Sequence, residues 1–157
     1  MKNEHWPLDR LKPHPQQQCF GDVSDVALSA LADSIDRDGL LDAILVTEDG
    51  TIVAGHQRYR AHLMLNKPTI RVNIVEGDGE REFFTSNLCR RDLSPIKRAR
   101  AVAGLFAAEQ RSSPTRRNPE GELRRRIGEQ LGISGRTVSR MLQLLRLPLP
   151  IQDAVDA

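Results

Sequence analysis

Aromatic residues are scarce in this chain: one Trp, one Tyr and four Phe among 157 residues. Stacking of unpaired bases on aromatic rings is therefore not expected to be a principal binding mode. Cysteine is scarcer still. Cys19 and Cys89 stand alone and far apart, which excludes a disulfide framework and suits free thiols in a reducing cytosol. With the four histidines they form no metal-binding spacing; His56 and His62, both on one expected helix, are too far apart to share an ion comfortably. No apolar run reaches membrane-spanning length, and the charged opening Met1-Lys2-Asn3-Glu4 is unlike a signal peptide. A cytoplasmic protein with no membrane partner is the expectation. Acidic residues do not gather into a cluster suited to two metal ions, and no catalytic residue is assigned.

What is present is ordinary for a globular protein. With 39% hydrophobic and 28% charged residues there is enough apolar material for a core, in a length that suits one domain or two small ones. The net charge of +2 is unevenly placed: residues 111–157 hold nine arginines against five acids, whereas residues 1–110 hold 14 basic and 16 acidic residues. A basic C-terminal part points to a polyanionic partner for that part alone.

Residues 1–20 are rich in Pro and Gln, with one short strand expected around Trp6–Leu11; Pro13-His14-Pro15 cannot be helical. Ser24 caps a helix expected through Arg37, with Leu28, Leu31 and Ile35 on its buried face and Gly39 closing it. A buried strand is expected at Ala43–Thr47, and the Asp49-Gly50 turn returns the chain along Thr51–Ala54 as a hairpin. Asn66 and Pro68 end the helix that follows, and Ile70, Val72 and Ile74 alternate with Arg71 and Asn73 as a half-exposed strand. Residues 1–76 thus read as a small α/β domain. From Gly79 the pattern is helical. Residues 77–110 supply connecting helices, one packed onto the sheet through Phe83, Phe84 and Leu88, and one opened by Ser94-Pro95 that carries Ala99, Val102, Ala103 and Phe106 to Gln110. Residues 111–120, with two prolines, read as a basic loop, and residues 121–157 as an all-helical domain.

Two stretches carry chemistry. In the first, Thr51-Ile52-Val53-Ala54-Gly55-His56-Gln57-Arg58-Tyr59-Arg60-Ala61, a strand turns at Gly55 into a helix expected from His56 to Leu65. Such a corner aims free N–H groups and the positive helix end outward, which suits phosphate. Arg58 and Arg60 fall in the first turn, where the helix dipole would favour acids, so cations there make sense beside a polyanion. The plainer alternative is an ordinary helix start with solvated arginines.

The second stretch spans residues 124–141. Ile127, Leu131, Ile133, Val138 and Met141 supply a core, Gly128 a small contact residue and Gly132 a turn, as a helix-turn-helix requires. Ser134 caps the second helix, expected over Gly135 to Leu147. Gly135, Arg136, Thr137, Ser139, Arg140 and Gln143 are then left outward or along its leading turns, to enter a major groove. A generic helical hairpin could show much of this pattern. Arg124, Arg125 and Arg126 lie where the first helix would cross the phosphate backbone, although such a run is more often a solvated face.

These pieces, together with Leu11-Lys12-Pro13-His14-Pro15-Gln16 and Ser86-Asn87-Leu88-Cys89-Arg90-Arg91-Asp92-Leu93-Ser94-Pro95, resemble in order the N-terminal and central domains of ParB-type partition proteins. The resemblance covers nearly the whole chain. It implies an α+β fold: a ParB/sulfiredoxin-like α/β domain followed by an all-helical helix-turn-helix domain. It also implies CTP with Mg2+ at Gly55, His56, Gln57, Arg58 and Arg60, with Asn87 and Arg90 from the later helix and Asn87 at the metal. The partners it implies are double-stranded DNA, self-association through the N-terminal domain and a ParA-type ATPase. Departures are visible. His56 and Gln57 replace the Glu and first Arg of the family's Gly-Glu-Arg-Arg, Asp42-Ala43 replaces Gln-Pro near the base pocket, and Ser86 replaces a metal-linked glutamate. At most weak CTP hydrolysis is expected. The family usually continues into further helices and a dimerisation domain, so the resemblance implies either a fragment or a naturally short relative.

Two other classes stay open. One is a helix-turn-helix transcriptional or plasmid-copy regulator that uses no nucleotide. The other is an enzyme on the same small domain, a ParB-like nuclease or a sulfiredoxin. His56 stands where a sulfiredoxin would carry its cysteine, which excludes thiol chemistry at that corner.

Overall fold

The computed structural model describes residues 3–89, 93–112 and 119–156. The chain forms two compact units, residues 1–79 and 80–157.

In the first unit, strands β1 (Asn3–Pro7), β2 (Lys12–Pro13), β3 (Ile44–Val46), β4 (Thr51–Ala54) and β5 (Thr69–Ile74) form a sheet of order β1-β5-β3-β4-β2. The expected hairpin is present: β3 and β4 pair antiparallel around the Asp49-Gly50 turn. On its other side β3 runs parallel to β5, and β2 runs parallel to β4. One face carries a core of Trp6, Leu8, Leu11, Ile44, Val46, Ile52, Ile70 and Val72. Helix α1 (Asp25–Asp38) is capped by Ser24, whose hydroxyl accepts the Ala27 N–H, and it packs Leu28, Ala32 and Ile35 around Ala61 of α2 (His56–Met64). The strand expected over Trp6–Leu11 is a correction. It lies earlier, at β1, because Pro7 lacks the N–H to continue a ladder and Leu8–Arg10 closes into a 3-10 turn.

In the second unit α3 (Glu80–Leu88), α5 (Pro119–Leu131), α6 (Gly135–Leu144) and α7 (Leu149–Asp156) all touch α4 (Pro95–Ser112). Along α4 the side chains of Ile96, Ala99, Ala101, Val102, Leu105 and Ala108 are buried. Phe84 of α3 lies against Gly104 of α4, with the Phe83 ring edge-on to it at 5.2 Å. Ser94 caps α4 through the Lys97 N–H, as expected, and also bonds Asp156 of α7. The expected loop over residues 111–120 is corrected at both ends, where Arg111 and Ser112 continue α4 and Pro119 and Glu120 begin α5; residues 113–118 lie outside the described residues. A proline forbids helix beyond its first turn but not at the first position, and Pro119 takes that position. The second helix of the C-terminal pair ends at Leu144, short of Leu147, where Arg146 and Leu147 turn back onto the carbonyls of Gln143 and Leu144.

Candidate functional site

The N-terminal corner is built around Gly55. Its φ of +100° is left-handed, and an added Cβ would stand 2.6 Å from Ile44 Cγ2 and 3.2 Å from Arg58 Nη2. Both facts exclude a side chain here. The first turn of α2 therefore starts on bare backbone, with no side-chain cap and no acid. Its leading N–H groups have no acceptor within the helix.

The side chains expected to face an anion are already engaged. Arg58 Nη1 donates to the carbonyls of Asp42 (2.7 Å) and Ala43 (3.2 Å). Burial pushes the Arg58 guanidinium below its usual pKa, and Asp42 opposes that shift. Arg71 takes the two preceding carbonyls, Leu40 (2.9 Å) and Leu41. Two arginines thus grip four consecutive carbonyls of the segment between α1 and β3. Arg60 Nη1 lies 3.2 Å from Asp22, and Gln57 Nε2 donates to the same carboxylate at 3.0 Å. His56 is buried, and its Nε2 accepts the His14 N–H at 3.2 Å. Desolvation, aided by His14 and opposed by Asp22, pulls the His56 pKa down to about 4, so the ring is neutral at ordinary pH. His62, also buried, sets its Nδ1 2.9 Å from the Arg58 carbonyl, to which the Nδ1–H tautomer donates.

In the second unit Asn87 is buried and donates to the Phe83 carbonyl at 3.0 Å, while Ser86 Oγ donates to the same oxygen at 2.9 Å. Arg90 lies outside the described residues, as do Arg116 and Arg117 of the basic loop. Among the described residues no group of three or more His, Cys, Asp or Glu could hold a metal ion, and no helix is long and apolar enough to cross a membrane.

The C-terminal pair meets in a tight turn. Gly128 lets the turn backbone approach, since a Cβ there would stand 2.6 Å from the Ile133 carbonyl oxygen, and the Ile133 N–H donates back to the Gly128 carbonyl at 2.8 Å. Ser134 Oγ caps α6 by accepting the Thr137 N–H at 3.1 Å, and Thr137 Oγ1 sits 2.9 Å from the Ser134 hydroxyl. Ser139 donates to the Gly135 carbonyl. Val138 is fully buried, while Arg136, Arg140 and Gln143 are exposed on the helix. On α5 the three consecutive arginines are all paired: Arg124 with Glu120 at 2.7 Å, Arg125 with Glu122 at 2.6 Å and with Glu129, and Arg126 with Glu109 at 2.9 Å.

Sequence reading missed His14, Asp22 and Arg71 at the corner. Each acts on a residue about 30 to 42 positions away, so no local pattern announces it.

Residues 2–86 match the ParB N-terminal domain family. The chromosome-partitioning protein Spo0J of Thermus thermophilus is 31% identical over 96% of this chain and 53% of its own length. The chain spans about half the length of the curated relatives it matches. Among solved structures, C-terminally truncated ParB from Caulobacter crescentus complexed to the centromeric parS site matches with a TM-score of 0.63 at 24% identity, covering 96% of this chain and 75% of that one. The same protein complexed with CTP-γ-S matches with a TM-score of 0.51 at 24% identity, covering 99% and 84%. At that identity the two likenesses speak to the fold, while the family match and the Spo0J relative speak to descent. This chain belongs to the ParB family of partition proteins.

Proposed function

We propose that this chain binds double-stranded DNA through α5 and α6 in chromosome or plasmid partition, and that CTP binding at the Gly55–Arg58 corner switches it. One observation carries the DNA reading. On α6 the exposed Arg136 and Arg140 make no hydrogen bond or ion pair among the described residues, one turn apart on a helix whose other side buries Val138. Unpaired cations at one-turn spacing, with Thr137, Ser139 and Gln143 beside them, suit base edges and phosphates of a major groove. Ser134 holds the first turn of that helix in shape. Arg124 and Arg125 would have to exchange exposed acids for phosphates.

The nucleotide reading is supported by the uncapped first turn of α2, which starts on the side-chain-free Gly55, and by the CTP-γ-S complex of the Caulobacter relative. His56, Gln57, Arg58 and Arg60 would line the site. The described residues do not fit a protein-held metal; Mg2+ would arrive on the phosphates. Self-association through the first unit and a ParA-type ATPase partner complete the proposal on family membership alone. A regulator using no nucleotide is the second reading. It is favoured by the engagement of Arg58 and Arg60 with carbonyls and Asp22.

Selection of bound duplexes from a random pool, with and without CTP, tests both. An enriched motif whose retention changes with CTP supports the proposal. An enriched motif indifferent to CTP leaves the plain regulator, and no enrichment removes the DNA reading.

A further inference from the structure

We infer that Glu109 is a specificity-determining residue: its buried carboxylate is an internal counter-ion that withholds Arg126 of α5 from DNA phosphates. The inference rests on the DNA-binding reading above and concerns a group which that reading does not use.

Glu109 is the one carboxylate among the buried described residues, with its side chain 8% exposed. It projects from α4 between two helices. Arg126 Nη2 of α5 stands 2.9 Å from one oxygen, and Arg81 Nε of α3 stands 3.1 Å from the other. The neighbouring arginines are held differently. The acids that pair with Arg124 and Arg125, namely Glu120, Glu122 and Glu129, have side chains 43–62% exposed. Water can take over such an acid when a phosphate takes its arginine, so the exchange is cheap. Glu109 has less such recourse. A phosphate that removed Arg126 would leave a carboxylate only 8% exposed with Arg81 as its one remaining cation, a larger cost than at an acid open to bulk water. Three consecutive arginines therefore divide into two that can be lent to DNA and one that cannot.

The consequence concerns specificity. Non-specific affinity for duplex DNA comes from the number of phosphates neutralised, whereas base preference comes from groups at the groove. Keeping Arg126 on Glu109 lowers the first and leaves Arg136 and Arg140 untouched. The restraint is also reversible in principle. A polar cavity of about 260 Å³, lined by Arg81, Glu109, Arg126, Ile127, Glu129 and Gln130, adjoins the pair and gives the guanidinium room to move once freed.

The test compares the full chain with Glu109→Gln, Arg126→Gln and the double variant, by affinity for a labelled duplex of random sequence across a salt series. Each phosphate contact adds about one to the logarithmic salt slope. Glu109→Gln is expected to bind more tightly at low salt with a slope steeper by about one, and Arg126→Gln to keep the wild-type slope. The double variant, whose net charge equals that of the wild type, should return to the wild-type slope; a mere net-charge effect is separated by Arg126→Gln alone, which it would leave with a slope lower by about one. An unchanged or shallower slope in Glu109→Gln, or a slope reduced by about one in Arg126→Gln alone, overturns the inference. Arg126→Gln leaves Glu109 its Arg81 partner, so it decides the matter even if Glu109→Gln does not fold. A wild type without salt-dependent affinity for duplex removes the DNA reading and the withholding with it. Wrongly ordered slopes on a wild type that binds remove the role of Glu109 alone.

Discussion

Arg58 shows how one side chain can serve both the fold and a ligand. The motif suggests a phosphate contact whose loss would leave the core untouched, yet Arg58 also holds the carbonyls of Asp42 and Ala43. Removing it strands two acceptors at a partly exposed site, so Arg58→Ala should cost about 1 kcal/mol of stability as well as nucleotide binding. Denaturant unfolding and calorimetry with CTP separate the two effects. Equal CTP affinity in wild type and variant would end the assignment. His56 makes a second residue-scale prediction. Its folded pKa, about 4, lies below the ordinary 6.5, so the unfolded chain takes up a proton between those values and the folded chain does not. Stability is therefore fully present above pH 6.5 and is lost as pH falls towards 4. The lowered pKa of His62 acts in the same direction. The His56 contribution is on the order of 3 kcal/mol at most, and His56→Gln should flatten stability against pH across that window. An equally steep profile in the variant would show that the slope comes from elsewhere.

At the scale of elements, α6 is expected to read DNA and its turn to hold α6 in place. Arg136→Ala or Arg140→Ala should relax preference at one base position by about 1–3 kcal/mol, measured on single-base variants of a selected site. Unchanged preference in both would move recognition off this helix. Gly128→Ala should destabilise the second unit by roughly 1–3 kcal/mol, because its Cβ meets the Ile133 carbonyl and backbone cannot step aside. These elements were legible because their signals are local. Ser24, Ser94 and Ser134 sit just before helices and cap them, and the apolar alternation of Ile70 and Val72 gives a strand. What was not legible is long-range. Glu109 reads as one more polar residue near a helix end until α3 and α5 fold over it. Asp22 and Arg71 reveal their partners only when the strands and helices of the first unit assemble. The corner at Gly55 was visible as a motif. The internal partners that occupy its arginines were not.

At the scale of the whole molecule the question is whether nucleotide, once bound, is turned over. Hydrolysis of a triphosphate is served by a divalent ion fixed by acids, which polarises the reacting phosphoryl group. Among the described residues no group of three metal-capable side chains exists. Where relatives of the resembling family carry a glutamate this chain has Ser86, and its hydroxyl is turned back onto the Phe83 carbonyl, as is the amide of Asn87. A neutral hydroxyl cannot replace a carboxylate as a ligand for a hard cation. On the proposed reading binding would depend on other groups, namely the first-turn N–H groups of α2 and Arg58, so it need not fail along with turnover. CTP should therefore bind with phosphate release no faster than a protein-free blank, and Ser86→Glu should raise release in the presence of Mg2+ without strengthening binding. The measurement is continuous phosphate release at saturating CTP, paired with calorimetric affinity for wild type, Ser86→Glu and Arg58→Ala. Steady release by the wild type that disappears in Arg58→Ala would mean that this chain assembles a metal site from groups other than Ser86.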